Sequence, residues 1–430
     1  MTEAMRIGVA GLGTVGAALV DVLRRNGEAI AARAGRPIEV TAVSARDRSR
    51  DRGVDLSAVA WHDDPVGLAD DPRVDVVVEL IGGDDGPALG AVERAFAAGK
   101  DVVTANKAMV AQHGASLALK AESQGAGFAF EAAVAGGIPI LKALREGLAA
   151  NRIGRVYGIL NGTCNYILTT MESEGRGFGD VLAEAQALGY AEADPTFDVD
   201  GIDTAHKLAV IAGLAFGAAP AFGAVTVEGI RSIDAVDIAF ARELGYRIKL
   251  LGVAALTEDG LEQRVQPCMV PIDSPIAGVG GVLNGVVVEG DAVGSVVFEG
   301  PGAGGEATAS AVIADLVDLA RGHRPPAFGI PARRLRQAPA APLGGHVGAY
   351  YLRLMVVDQP GVLAEVATIL RDDAISIETL LQRSRDPGQI VPIVITVHET
   401  SEAAMMAALD RIGRLDVVRE TPRMLRIERL

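Results

Sequence analysis

The run Arg6-Ile7-Gly8-Val9-Ala10-Gly11-Leu12-Gly13-Thr14-Val15-Gly16 constrains the fold of this chain more than any other stretch. An apolar, strand-like segment ends directly in G-x-G-x-x-G, and a helix-like, Ala-rich segment over residues 15–34 follows. In that context the glycines have separate tasks. Gly11 permits the tight turn, Gly13 lets the backbone approach a pyrophosphate, and Gly16 lets helix and strand pack closely. Amides at the helix start, including those of Thr14 and Val15, then face an anion. A merely structural turn is the competing reading in a chain with 52 glycines.

Candidate strands fall at residues 7–10, 39–44, 75–80, 101–104 and 127–131, and stretches such as 88–98 are long enough for crossover helices. This alternation predicts βαβ units around a parallel sheet. The fold class is α/β: a Rossmann-type dinucleotide-binding domain over residues 1–135, completed by residues at about 300–320. Residues 136–300 mix helices with β-branched strands at 285–289 and 295–299, which predicts an α+β substrate-binding, catalytic and dimerisation domain. Five prolines and five arginines without an acid mark residues 321–347 as a linker. Residues 348–430 read strand, helix, strand, strand, helix, strand, a small separate βαββαβ domain.

Composition narrows the partners. The formal charge is −15 and no basic stripe is present, so nucleic acid is excluded as a partner. The long uncharged run 208–227 is mostly Ala and Gly and is broken by Pro220, so no membrane partner is expected. Two cysteines, Cys164 and Cys268, cannot build a disulfide framework, and six scattered histidines lack transition-metal spacing. The first residues lead straight into a strand without a signal-peptide pattern. A cytoplasmic protein is expected.

Chemistry-bearing residues cluster in six places. At the end of the second strand Arg46 stands where an NAD site carries an acid for the ribose 2′-hydroxyl. A guanidinium suits a 2′-phosphate, which favours NADP with NAD as the alternative; a solvated loop charge is the other reading of Arg46. Thr104-Ala105-Asn106-Lys107 puts Lys107 at the carboxyl end of a strand, where open α/β sheets bind ligands. Asp203 and Lys207 lie four residues apart and share a helix face. Just upstream, Gly189 to Asp198 gathers Glu192, Asp194 and Asp198 in a loop suited to an ammonium group. A lysine able to move a proton beside such a loop points to carbonyl reduction on an amino-acid-like substrate, with an ordinary surface ion pair as the bland alternative. Residues 130–139 join one acid, Glu131, to small residues whose carbonyls suit a hard cation. Asn161-Gly162-Thr163-Cys164-Asn165-Tyr166 is a polar turn in which Cys164 reads as a small buried residue.

In order along the chain, GLGTVG, TANK, FEAAVAGGIPI, NGTCNYIL, GYAEADPTFDVDGIDTAHKLA and PGAGGEATASAV resemble homoserine dehydrogenase across about the first 320 residues. The resemblance implies NAD(P)-dependent reduction of L-aspartate 4-semialdehyde to L-homoserine, and the reverse, on the way to threonine and methionine. It implies Lys207 as the acid/base lysine with Asp203 as its partner at the reacting oxygen. Gly189, Glu192 and Asp198, with Lys107, would hold substrate; Thr104 and Lys107 would lie near the nicotinamide, and Gly302 would return to the cofactor. Glu131 with the carbonyls of Val134, Gly136 and Ile138 would hold a monovalent cation, sodium or potassium. Residues 348–430, with Tyr351-Leu352-Arg353-Leu354 and Asp358-Gln359-Pro360-Gly361, are similar to an ACT domain. That implies feedback by threonine, with Asp358 and Gly361 at the effector, and a homodimer or homotetramer. The form expected is the one without a fused kinase. Cys164 departs from an expected Thr, and Ala307 from a common Pro. Two rivals stay open: another amino-acid dehydrogenase, such as one acting on aspartate, and a non-catalytic nucleotide and amino-acid sensor.

Overall fold

The computed structural model describes residues 3–383 and 388–429, apart from the Leu343 side chain; Met1, Thr2, residues 384–387 and Leu430 lie outside the described residues. Six strands, β1 (Met5–Ala10), β2 (Ile38–Ser44), β3 (Ala60–His62), β4 (Val76–Glu79), β5 (Asp101–Thr104) and β6 (Phe128–Ala129), form a sheet in the order β3-β2-β1-β4-β5-β6. Every pair is parallel. Ile7, Val9, Val77, Val78, Val102 and Val103 are buried, as a sheet covered on both faces requires. The chain leaves β1 in one direction toward β2 and in the other toward β4, so a crevice opens at the carboxyl end of β1.

Two local expectations are corrected. Residues 15–34 form two helices, Thr14–Arg25 and Gly27–Ala34, because the backbone of Asn26 leaves helical geometry between them. The strand expected over 127–131 pairs only through β6, since Glu131 opens a 3₁₀ turn and its N–H donates to Asp315 Oδ2 at 2.9 Å.

A ten-stranded sheet fills the rest of the molecule. Its strands are β7 (Ile153–Ile159), β8 (Thr226–Val227), β9 (Tyr246–Thr257), β10 (Gly260–Pro271), β11 (Leu283–Gly290), β12 (Gly294–Pro301), β13 (Val347–Val357), β14 (Ile377–Leu381), β15 (Ile390–Ser401) and β16 (Arg423–Ile427). The order is β12-β11-β7-β9-β10-β16-β13-β15-β14, with β8 on β10. The helix Ile202–Phe216 is apolar nearly all round and buried along its length, the pattern of a core helix. Helix Gly305–Ala320 returns to the first unit and packs Ala309, Val312 and Leu316 in one core with Leu19, Val20 and Leu23 of the first helix.

The C-terminal unit runs β13, helix Val362–Asp372, β14, β15, helix Glu402–Gly413, β16. It is not the separate body expected. β16 pairs in parallel with β10 through Cys268 and Met269, so both units share one sheet. An unpaired edge of β10 would leave amides and carbonyls without partners, and β16 supplies them. Nor is 321–347 a free tether. Arg324 forks onto Asp101 at 2.9 and 2.6 Å, Phe328 is buried against Phe130, and Leu261 donates to the Pro339 carbonyl at 2.9 Å. Among the described residues no helix is long and apolar enough to cross a membrane.

Candidate active site

The glycine turn has two tight positions and one open one. A Cβ on Gly11, whose φ is +104°, would lie 2.6 Å from the Leu80 carbonyl, and one on Gly16 would lie 2.1 Å from the Gly11 carbonyl. A Cβ on Gly13 would meet nothing within 4 Å, so this side of the turn faces open space. Helix Thr14–Arg25 starts there with no side-chain cap and no acid in its first turn, which leaves its amides, with Thr14 and Val15 in that turn, directed at the crevice. Gly305 packs on Thr14, so the 302–305 segment borders the turn, and Gly302 is pressed against Asn284 and the Gly136 loop.

Beyond β2, Arg46 is exposed in a bend. Asp47 is exposed beside it: its Oδ1 accepts from Ser49 N at 2.8 Å and Ser49 Oγ at 2.6 Å, and those bonds hold its carboxyl below the usual range. Arg48 and Arg52 lie over Trp61 at 5.8 and 5.3 Å, and Arg52 Nε donates to Leu12 O at 3.1 Å, fastening this basic loop to the glycine turn. Arg48, Arg52 and Trp61 were missed in the sequence because the contact joins β3 to the loop after β2.

On the far side of β1 the buried Glu79 fixes the crevice wall. It accepts from Thr104 Oγ1 at 2.5 Å, Ile81 N at 2.7 Å and Gly82 N at 3.0 Å. Thr104 thus faces β4, and Asn106 caps the helix Lys107–Ser123 that begins with Lys107.

Lys107, Asp203 and Lys207 come together across the two units. Asp203 Oδ2 accepts from Lys207 Nζ at 2.6 Å and from Asn161 Nδ2 at 2.9 Å, and Oδ1 lies 3.1 Å from Lys107 Nζ. Burial by itself would push the Asp203 carboxyl up; the charges of Lys207 and Lys107, with the hydrogen bonds, outweigh it and hold the group well below the ordinary carboxylate range. Asp203 is therefore ionised. Lys207 Nζ also donates to Leu160 O at 2.7 Å, which fixes two of its three protons and leaves one. Lys107 is about one third exposed and lies over the Phe197 ring, so the open end of the cluster is there. His206 stacks on Phe222 with centroids 4.1 Å apart, and burial pushes its pKa down, keeping the ring neutral at pH 7.

The sequence marks Asn161 only as the start of a polar turn, and the structure makes it a partner of two carboxylates. Its amide donates to both Asp203 and Asp198 Oδ1, the latter at 2.8 Å, while its oxygen caps helix Gly162–Glu174 through Cys164 N at 2.8 Å. The N-G-T at a strand end was a capping signal, but the two carboxylates it serves lie 37 and 42 residues away. Burial, against the Asn161 bond and with the Asp203 charge, pushes Asp198 up. Cys164 is buried, its thiol toward the Asp198 carbonyl. Gly189 and Glu192 are not in direct contact with the cluster. Both are exposed in the loop that Thr163 Oγ1 anchors through Tyr190 O at 2.6 Å, and Gly189 has φ +76°. Asp194 turns back to cap Thr196.

The Glu131 loop lies beneath the junction. Glu131 Oε1 and Oε2 accept from Leu141 N and Lys142 N at 2.9 and 2.7 Å, and burial beside Asp315 raises its pKa to about 7. Val134 and Gly136 carbonyls accept no hydrogen bond among the described residues, whereas Ile138 O takes Ile140 N at 2.8 Å. One buried carboxylate with free carbonyls is a hard-cation donor set. Far away, Asp358 and Gly361 precede helix Val362–Asp372; Gly361 has φ +99° and Asp358 N donates to Gln389 O at 2.8 Å.

Three family profiles match in series: "Homoserine dehydrogenase, NAD binding domain" over residues 11–131, "Homoserine dehydrogenase" over 139–317 and "ACT domain" over 350–414. The homoserine dehydrogenase of Pseudomonas aeruginosa is 48% identical, with 99% of each chain covered, and that of Neisseria gonorrhoeae is 46% identical, again with 99% of each covered. The crystal structure of a homoserine dehydrogenase from Thiobacillus denitrificans has a TM-score of 0.94 and 46% identity, covering 99% of this chain and 98% of that one. A hyperthermophilic archaeal homoserine dehydrogenase in complex with NADPH matches 74% of this chain and 97% of its own at a TM-score of 0.63 and 27% identity. With its dinucleotide turn, buried Asp–Lys cluster and C-terminal module in series, the chain belongs to the homoserine dehydrogenase family, the NAD(P)-dependent oxidoreductases of that name.

Proposed function

We propose that the protein reduces L-aspartate 4-semialdehyde reversibly to L-homoserine, in the supply of threonine and methionine, with NADPH preferred over NADH. The observation that carries this reading is the Lys207–Asp203–Lys107 cluster at the mouth of the crevice. A nicotinamide dinucleotide bound at Gly11, Gly13, Thr14, Val15 and Gly16, and bordered by Thr104 and Gly302, supplies the hydride in the reducing direction. Lys207 then acts on oxygen. With two protons spent on Leu160 O and Asp203, its third is free to pass to the developing alkoxide, and Lys107 adds a second positive charge beside it. Asp203 holds both ammonium groups in place. Asp198, Glu192 and the backbone at Gly189 take the amino-acid end of the substrate.

NADPH preference is supported by the exposed Arg46 beside the Arg48–Arg52–Trp61 platform. Glu131 with the carbonyls of Val134, Gly136 and Ile138 would hold a sodium or potassium ion that orders the junction loop. Residues 348–430 would sense threonine, with Asp358 and Gly361 at the loop before the first helix, and the open edge at β14 supports pairing with a second copy in a homodimer or homotetramer. The experiment is cofactor absorbance at 340 nm with L-homoserine, NADP or NAD, with and without threonine. Reduction with L-homoserine but not L-aspartate supports the reading; reduction with L-aspartate alone overturns it.

A further inference from the structure

Asn284, near the start of β11, is 1% exposed, yet Nδ2 and Oδ1 of its side chain are both buried without a hydrogen-bond partner among the described residues. The amide has two protons to donate and an oxygen to accept. Leaving them unpaired in the interior costs stability, and a leucine of the same branched shape would carry no such cost. A buried polar group of this kind needs a reason of its own.

Its surroundings supply one. β11 pairs with β12 on one side, Asn284 opposite Gly300, and with β7 on the other, Gly285 opposite Ile159. One further step of that register sets Asn284 beside Leu160, whose carbonyl accepts from Lys207 Nζ at 2.7 Å. The side chain stands directly against Gly302: a Cβ there would lie 2.1 Å from Cγ and Nδ2 of Asn284 and 2.3 Å from Oδ1. From Gly302 the chain passes through the exposed Ala303 and Gly304 to Gly305, where a Cβ would lie 3.1 Å from Thr14 at the glycine turn. Asn284 thus lies under a segment that reaches from the ten-stranded sheet to the dinucleotide turn.

That segment has what the amide lacks. Among the described residues the N–H groups of Gly302, Ala303 and Gly304 donate to no acceptor, and the carbonyls of Gly302 and Ala303 accept from no donor. Gly302 places no side chain between its backbone and Asn284. A side chain that both donates and accepts therefore touches a backbone with both kinds of group unspent, and the bonds between them are not made.

We propose that Asn284 is a positioning residue of the dinucleotide site. Its amide bonds the backbone at 302–304 when a nicotinamide dinucleotide holds that segment against the glycine turn, so cofactor occupancy fixes the segment to the strand end that also holds Lys207. Asn284 acts through Gly302 and does not itself touch the dinucleotide. The inference rests on the dinucleotide lying between the Gly11–Gly16 turn and Gly302, as proposed above, and not on the identity of the substrate.

Asn284→Leu and Asn284→Ala test this, the first keeping the branched shape and the second leaving room if leucine crowds Gly302. The full chain is melted with and without cofactor, and its affinity for NADP and NAD is measured by isothermal titration. Without cofactor at least one variant melts at or above the parent temperature, because an unpaired amide is gone. Both variants bind the tighter dinucleotide about tenfold more weakly, the scale of one or two hydrogen bonds between neutral groups, and gain less melting temperature from it. A merely structural role would move stability and affinity down together; here they part. Parent-like affinity in both variants overturns the inference and leaves the dinucleotide site standing. Melting of both below the parent without cofactor also overturns it, since the amide is then satisfied in the protein alone. A parent chain that binds neither NADP nor NAD overturns the inference and the proposed site together.

Discussion

Replacing Lys207 with methionine separates chemistry from stability. Lys207 and Asp203 are 11% and 6% exposed at the side chain and 2.6 Å apart, so the substitution breaks a buried pair. Removal of one partner of such a pair costs about 3–5 kcal/mol. Asp203 keeps Lys107 at 3.1 Å and Asn161 at 2.9 Å, so its charge is not abandoned, and the loss belongs at the lower end, about 3 kcal/mol. Methionine keeps most of the stem that Lys207 packs from helix Ile202–Phe216. The chemical loss is separate: positioned proton transfer contributes ~10²–10⁴ in rate, or about 3–5 kcal/mol of barrier. Initial rates at 340 nm with saturating L-homoserine should show kcat down by that factor with KM changed little, because the lost contact matters most in the transition state. Urea unfolding of the same preparation reads the stability loss. A folded Lys207→Met protein with kcat within about threefold of the parent, or a raised KM with kcat intact, would refute the assignment.

Gly13→Ala should fold as the parent and weaken NADP binding, since its Cβ enters open space, whereas Gly16→Ala should lose both stability and binding because its Cβ would lie 2.1 Å from the Gly11 carbonyl; melting temperature and cofactor KM distinguish them. Arg46→Ala should lower kcat/KM with NADP by about tenfold and leave NAD nearly unchanged, the loss of one charge-assisted contact, as read from paired rate measurements. Lys249 is buried on β9, donating to Asn165 Oδ1 at 3.0 Å and Val279 O at 2.6 Å, and burial lowers its pKa to about 8. Its folded pKa lies below the unfolded value, so unfolding takes up a proton between about pH 8 and 10.5 and stability rises with pH across that window. The rise should approach 3 kcal/mol, at about 1.4 kcal/mol per unit, and be missing in Lys249→Met. Equal slopes for the two proteins in urea titrations from pH 7.5 to about 10.5 would contradict it.

The legible parts of this protein were those in which neighbouring residues make the local physics. The glycine turn after β1 and the Asp203–Lys207 spacing are each complete within a few residues, and both could be read from chain order. The longest hairpin, β9–β10, escaped notice although Glu258-Asp259-Gly260 is a turn signal, because both its faces are buried and polar side chains such as Lys249, Gln263, Arg264 and Gln266 sit inside, so the period-two alternation of apolar and polar residues is lost. Asn161, Glu79 and the Arg48–Arg52–Trp61 platform escaped for another reason: their partners lie on other elements.

By itself, the sequence determined the parallel first sheet, the dinucleotide turn and the lysine–aspartate pair, because hydrophobic period, glycine conformation and i to i+4 spacing act over short distances. Tertiary structure alone decided that Lys107 from one unit faces Asp203 from the other, and that Asn161 ties Asp203 to Asp198. It also decided that β16 enters the ten-stranded sheet beside β10. Those outcomes depend on which edges and ends meet once apolar faces are buried, and chain-local chemistry carries no record of that.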